Sequence, residues 1–210
     1  MMSLPNKKIF VKICGITTLE DALLAVALGS DALGFVFAPS KRQVARKSVE
    51  KIIRELPSEI MTVGVFRNAD PEQVVRVVNG TGLDAAQLHG NESFSDSTFI
   101  SERIPLTIKA LTIDSKELPN FNEFNADFLL LDSDIPGSGR TFNWDLIGDL
   151  SKVERVLLAG GLRPENVKHG IKIVNPFGVD VSTGVEATPG HKDPRLLRLF
   201  IEAAKTNECE

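Results

Sequence analysis

LLAGGLRPENVKHGIKIVNPFGVDVSTGVE, residues 157–186, is the stretch that decides the fold prediction. Two apolar runs, Val156–Ala159 and Gly178–Val181, each predict a buried strand, and a helical pattern separates them. The first run ends in Gly160-Gly161 and the second in Ser182-Thr183-Gly184. Such turns let backbone N–H groups approach an anion. Either turn alone is more often an ordinary turn after a strand than a ligand site. The pair, however, is typical of the phosphate-binding site that follows strands 7 and 8 of a (βα)8 barrel.

Short apolar runs alternate with amphipathic segments along the whole chain, and about 24 residues separate successive run ends. The runs lack in–out alternation, as expected for parallel strands buried on both faces. They predict eight strands: Ile9–Cys14, Ala32–Phe37, Met61–Phe66, Ala85–Leu88, Leu106–Ala110, Phe128–Leu131, Val156–Ala159 and Gly178–Val181. We therefore expect an α/β fold, a single TIM barrel. The alternative is a doubly wound sheet, but the first strand ends in Cys14-Gly15 without a G-x-G-x-x-G fingerprint.

Helix boundaries can be predicted at several points between these strands. Thr17 or Thr18 is a candidate cap for the first helix. Pro71 and Pro164 each suit the first turn of a helix, where the missing N–H costs nothing. Residues 111–125 show no helical period, so we expect irregular backbone in the fifth unit.

Composition restricts the class of protein. The 210 residues suffice for one domain, here a single catalytic domain over residues 1–210, and the net charge of −4 does not suggest a nucleic-acid partner. The two cysteines, Cys14 and Cys209, do not suggest a disulfide framework. The N-terminal MMSLPNKK lacks the apolar core of a signal peptide, and no apolar stretch is long enough for a membrane span. We expect a cytoplasmic protein with no membrane partner.

Polar residues gather where the predicted strands end, which is where TIM barrels place their chemistry. These residues, in chain order, are Lys12, Cys14, Arg42, Gln87, His89, Lys109, Asp132 and Asp180, with Gly137 and Gly139 in the loop after strand 6. A thiol at Cys14 could act as a base or nucleophile, or it could simply pack. Asp132 could serve as a general acid or be a solvated loop carboxylate. His89 could carry a proton or be structural, and Arg42 could bind a carboxylate or face solvent.

Nine segments together resemble the phosphoribosylanthranilate isomerase family of tryptophan biosynthesis, and the resemblance extends over nearly the whole chain. Each segment alone is moderately specific, whereas their order and spacing are highly specific. They are VKICGIT (11–17), GFVFAPSKR (34–42), VGVF (63–66), QLHG (87–90), LLLD (129–132), GSGRTFNW (137–144), LAGGLRPENV (158–167), VDVSTGVE (179–186) and PGHKD (189–193).

The resemblance implies an Amadori rearrangement of a phosphosugar, with Cys14 as general base and Asp132 as general acid. It implies an arginine, here Arg42, near the anthranilate carboxylate, and no metal or organic cofactor. We predict phosphate contacts from Gly160, Gly161, Ser182, Thr183 and Gly184, and further substrate contacts from Gln87, His89, Gly137 and Gly139. Two alternatives stay open: a related isomerase of the histidine pathway, whose site has two aspartates, and a non-catalytic barrel that binds phospholigands. The chain could be a monomer or a homodimer.

Overall fold

Eight parallel strands close into a barrel in the computed structural model, which describes residues 8–133, Trp144 and residues 155–206. The strands pair in chain order, and the last pairs with the first. They are β1 (Phe10–Cys14), β2 (Ala32–Val36), β3 (Met61–Phe66), β4 (Ala85–Leu88), β5 (Leu106–Thr112), β6 (Phe128–Asp132), β7 (Val156–Leu158) and β8 (Gly178–Val181). The predicted barrel is confirmed, with strand ends within two residues of those predicted.

Helices pack around the barrel, and their caps largely follow the predictions. They are α1 (Leu19–Ala27), α2 (Arg46–Arg54), α3 (Pro71–Thr81), α4 (Phe94–Ser101), α5 (Val167–Val174) and α6 (Pro194–Lys205). Thr18 caps α1 by accepting a hydrogen bond from Asp21 N at 3.1 Å. Pro71 begins α3 as predicted.

The prediction for Pro164 was wrong, because α5 begins three residues later. The Asn166 side chain accepts a hydrogen bond from Arg163 N at 2.8 Å and donates one to Gly161 O at 3.1 Å. These bonds hold a tight turn in competition with the first turn of a helix.

The irregular fifth unit is confirmed. A 3₁₀ helix, Leu118–Phe124, takes the place of an α-helix after β5, and Asn120 within it has non-helical backbone angles. Phe121 and Phe124 are nevertheless buried, so this segment covers its strands as a helix would.

Alternate residues of each strand face two separate layers. Val11 and Ile13 of β1 belong to the apolar layer between strands and helices. The barrel interior holds a smaller cluster that includes Ala32, Val63, Ala85, Ile108 and Leu130. Because side chains alternate along a strand, Lys12 and Cys14 lie on the interior face of β1, opposite Val11 and Ile13.

Lys109 differs from the other predicted strand-end residues, because it lies on the outward face of β5. Its neighbours Ile108 and Ala110 line the interior, whereas Lys109 Nζ is buried against Glu92 Oε2 at 2.6 Å and Gly90 O at 2.8 Å. Burial alone would raise the pKa of Glu92, but Lys109 and the amide of Asn68 offset this and lower it. Lys109 therefore belongs to a structural ion pair.

We expect Glu92→Gln to destabilise the fold by about 3 kcal/mol at neutral pH, because it leaves a buried ammonium without its counter-charge. The folded-state pKa of Glu92 is lowered. Its stabilisation is therefore complete above the unfolded-state pKa and is lost as the pH falls through the folded-state value. Urea unfolding at neutral pH and at about pH 3 should show the difference from wild type shrinking in acid.

The matched control is Glu72→Gln, which removes a carboxylate from an exposed pair with Arg76. This change should alter the free energy of unfolding by less than about 0.5 kcal/mol. Equal effects of the two substitutions would contradict a special role for the buried pair.

Two short features after β8 were not predicted. A 3₁₀ turn, Thr183–Val185, leads into an antiparallel hairpin of β9 (Glu186–Thr188) and β10 (His191–Lys192). No helix within residues 8–133 and 155–206 is long and apolar enough to cross a membrane.

Candidate active site

Cys14 is the last residue of β1 and its side chain is buried at the carboxyl end of the barrel. Among the residues that the structure describes it is a free thiol. Burial raises its pKa, and the positive charges of Lys12 and Lys192 oppose that rise. A thiol in these surroundings needs nearby cations to be available as the thiolate.

Lys12 and Asp180 form a buried ion pair next to Cys14. The residues are register partners on β1 and β8, and Nζ lies 2.7 Å from Oδ1. Burial alone would lower the pKa of Lys12, but Asp180 and Cys14 outweigh it, so the pKa is raised. Lys12 therefore carries its charge at neutral pH.

Asp132 ends β6 and is also buried. Its Oδ1 accepts a hydrogen bond from Ser133 N at 2.7 Å. Its Oδ2 lies 3.2 Å from His89 Nε2, within ion-pair distance. The two groups are not aligned as a hydrogen bond, and Nε2 has no other partner within the described ranges.

Gln87 connects His89 to β4, because its Nε2 lies 2.9 Å from His89 Nδ1. With the amide oriented so that its nitrogen faces the ring, Nδ1 accepts and a neutral imidazole carries its proton on Nε2. Gln87, His89 and Asp132 thus form one polar row across the interior between β4 and β6.

The five predicted phosphate-binding residues lie together. They line a cavity of about 50 Å³ with Asp132 and Asp180: Gly160, Gly161, Ser182, Thr183 and Gly184. Gly160 and Gly161 adopt φ angles of 79° and 64°, which strongly favour glycine. A Cβ on Gly160 would lie 2.6 Å from Ser133 N, so the turn after β7 packs tightly against the end of β6.

Arg42 reaches the same end of the barrel but is already paired. Its Nε and Nη2 donate to the two carboxylate oxygens of Glu186 at 2.8 and 2.7 Å, and Nη2 also donates to Thr183 Oγ1 at 3.1 Å. The hydrogen bonds to Glu186 raise the pKa of Arg42. The guanidinium is thus held beside the turn after β8.

Glu186 and Lys192 were not predicted as site residues, although both lie in quoted segments. Lys192 Nζ donates to Cys14 O at 2.6 Å and to Glu186 Oε1 at 3.0 Å. Burial alone would raise the pKa of Glu186, but Arg42 and Lys192 lower it. Through Glu186 and Lys192, the hairpin therefore connects Arg42 to the end of β1. In the sequence, this contact is indicated only by the charged residues on the two strands of the hairpin, Glu186 on β9 and Lys192 on β10.

Two predicted substrate-binding residues, Gly137 and Gly139, lie outside the described residues. The structure brings the other predicted site residues to one end of the barrel. Strands β6, β7, β8 and β1 are consecutive neighbours, so the glycine-containing turns lie between Asp132 on one side and Cys14 on the other. The fold and site define a (βα)8 barrel that carries a thiol, a carboxyl group and two glycine-containing turns at the carboxyl ends of its strands.

Residues 11–203 match the family model described as N-(5′-phosphoribosyl)anthranilate (PRA) isomerase. The enzyme of that name from Thermotoga maritima is 47% identical over 204 residues, covering 93% of this chain and 98% of the relative. The chain belongs to the PRA isomerase family of tryptophan biosynthesis.

Solved structures of the family are closely similar. The T. maritima PRA isomerase crystal structure superposes with a TM-score of 0.88 at 45% identity, covering 94% of this chain and 98% of that one. Another, with a TM-score of 0.85 at 44% identity, covers the same 94% and 98%. It is a complex of PRA isomerase with reduced 1-(o-carboxyphenylamino)-1-deoxyribulose 5-phosphate.

Proposed function

We propose that this chain converts N-(5′-phosphoribosyl)anthranilate to 1-(2-carboxyphenylamino)-1-deoxyribulose 5-phosphate, with Cys14 as general base and Asp132 as general acid. One observation carries the residue roles: these two side chains end β1 and β6, and the turns of β7 and β8 lie between them. A sugar phosphate held by those turns would present its reactive carbons between the two groups.

Asp132 acts first in this proposal. Its carboxyl group gives a proton to the furanose oxygen as the C1′–O bond breaks, and the anthranilate nitrogen forms an iminium. Asp132 lies beside Gly160 and lines the same cavity as the turns proposed to hold the phosphate, so its carboxyl group is within reach of a substrate bound there.

Cys14 acts second. The iminium acidifies the proton on C2′, so a thiolate of modest basicity can remove it, and the bonding electrons flow toward the nitrogen to give an enolamine. The enolamine then tautomerises to the ketone. Because the substrate's own nitrogen serves as the electron sink, the chemistry requires no metal or organic cofactor.

Arg42 is our candidate for the anthranilate carboxylate. Glu186 occupies one edge of its guanidinium through Nε and Nη2, which leaves Nη1 to face a ligand. Gln87, His89, Gly137 and Gly139 complete the proposed substrate contacts, and His89 lies close enough to Asp132 to meet the same substrate atoms.

The proposal also covers the domain organisation, partner, location and oligomeric state of the enzyme. Residues 1–210 form one catalytic domain, since β1 and β8, from opposite ends of the chain, pair with each other. The partner is a small phosphosugar. A cytoplasmic location suits a thiol base that must stay reduced. The chain is a monomer or a homodimer, and a dimeric form is named for the T. maritima enzyme.

The direct test is turnover. Purified protein is mixed with freshly made phosphoribosylanthranilate and EDTA, and loss of the aminoaldose is followed against a control without enzyme. We expect rapid conversion that EDTA does not slow. Binding without conversion by folded protein would indicate a phospholigand-binding barrel instead. Preferential turnover of the histidine-pathway aminoaldose would indicate the related isomerase. The thiol of Cys14 at the end of β1 argues against that outcome, because the site of that isomerase has two aspartates.

We expect Gly161→Asp to raise KM at least about tenfold with a smaller change in kcat, because a carboxylate would repel the phosphate at the turn after β7. Steady-state kinetics check this. The matched control is Gly82→Asp, since Gly82 also has positive φ, 77°, but caps α3 with open space around it. Similar KM values for the two variants would contradict phosphate binding at Gly161.

A further inference from the structure

We infer that Lys12 is a positioning residue for Cys14, whose side chain it keeps beside a buried ammonium group anchored by Asp180. The inference rests on the proposed role of Cys14 as base, because a thiol acts as a base only as its thiolate. It assigns a function to a charge that packing alone does not explain. A buried ammonium costs several kcal/mol of desolvation, and an apolar side chain of the same length would fill the space without that cost.

The strand geometry places the two groups together. Lys12 and Cys14 are two residues apart on β1 and therefore share its interior face. Lys12 is completely inaccessible to solvent, and its Nζ is held 2.7 Å from Asp180 Oδ1 on the neighbouring strand. The ammonium group of Lys12 is therefore held in a fixed position near the end of β1, where Cys14 lies.

Gly34 provides the space in which they meet. It is the register partner of Cys14 on β2. A Cβ built on Gly34 would lie 2.8 Å from Cys14 Sγ and 3.1 Å from Lys12 Nζ, so sulfur and ammonium flank the same point. Because a Cβ at residue 34 would crowd both groups, glycine leaves this space to the sulfur and the ammonium.

The charged groups around the thiol come from four elements. Lys12 lies on β1 and Asp180 on β8, Lys192 of β10 donates to the Cys14 carbonyl, and Arg42 follows β2. Burial raises the pKa of Cys14 and Asp180 adds to the rise, while Lys12 and Lys192 oppose it. Lys192 is bound to the carbonyl oxygen and to Glu186, whereas the Lys12 ammonium lies beside the thiol side chain in the space next to Gly34.

The test measures the thiol itself. In a Cys209→Ala background Cys14 is the only cysteine, and its alkylation by iodoacetamide is followed against pH. We expect Lys12→Met to move the midpoint upward by about 1–3 pH units, because it removes the adjacent positive charge. The rate at neutral pH should fall at least about tenfold, and the limiting rate at high pH should change little. The pH profile of kcat/KM should shift in the same direction.

The matched control is Lys109→Met, which removes another fully buried, carboxylate-paired lysine from the opposite side of the barrel. It should leave the alkylation midpoint unchanged. An unchanged midpoint in Lys12→Met would overturn the inference. If that variant does not fold, Lys12→Gln replaces it, because glutamine removes the charge and keeps a hydrogen-bond donor for Asp180. Its midpoint should also rise, and an unchanged value would again count against Lys12.

The outcome is separable from that of the proposed function. If Cys14→Ala retains turnover while Lys12→Met shifts the alkylation midpoint, the base role fails and the electrostatic coupling stands. If Cys14→Ala is inactive and the midpoint does not move, the base role stands and Lys12 has no part in it.

Discussion

Cys14→Ala should reduce turnover by about 10²–10⁴-fold, the range usual for loss of a general base. The substitution removes the only group at the end of β1 that can accept the C2′ proton in the proposed reaction. It creates little strain, since the thiol is a small buried side chain and alanine fits the same strand geometry. Single-turnover and steady-state assays with the aminoaldose measure the loss.

Two comparisons make the result specific to the base. Cys209→Ala also removes a thiol and should leave turnover at the wild-type level. Affinity for reduced 1-(o-carboxyphenylamino)-1-deoxyribulose 5-phosphate should change little in Cys14→Ala, because Arg42 and the glycine-containing turns remain in place. Activity near wild type would rule out Cys14 as the base.

Asp132→Asn should lower kcat by a similar factor, about 10²–10⁴, with KM close to wild type. Asparagine has the same shape and can keep the hydrogen bond from Ser133 N to the side-chain oxygen. It cannot deliver a proton to the furanose oxygen, so ring opening loses its acid. Steady-state kinetics over a pH series separate the change in kcat from any change in binding.

Asp70→Asn is the matched control for the same carboxylate-to-amide change. Asp70 caps α3 by accepting from Gln73 N, a role that asparagine performs equally well. A mild effect of Asp132→Asn would point to another acid. His89 would then be the candidate, because its Nε2 lies 3.2 Å from Asp132 Oδ2.

Much of the fold follows from local sequence. Short continuous apolar runs predicted every strand from β1 to β8, because strands buried on both faces are rich in apolar residues along their whole length. Irregular backbone in residues 111–125 followed from the lack of a helical period. The prediction for Pro164 was wrong because a side-chain turn at Asn166 competes with the helix, and propensity alone does not resolve that competition.

The sequence by itself determined the barrel and the strand ends near which Cys14 and Asp132 lie, because a continuous apolar run is a local property of the chain. It did not determine which charges meet. Lys12 pairs with Asp180 across 168 residues, Arg42 with Glu186 across 144, and Lys192 reaches the Cys14 carbonyl across 178. These contacts form only when β8 pairs with β1 and the barrel closes. Pairing of buried charges depends on distances of a few ångströms, and only the tertiary structure sets those.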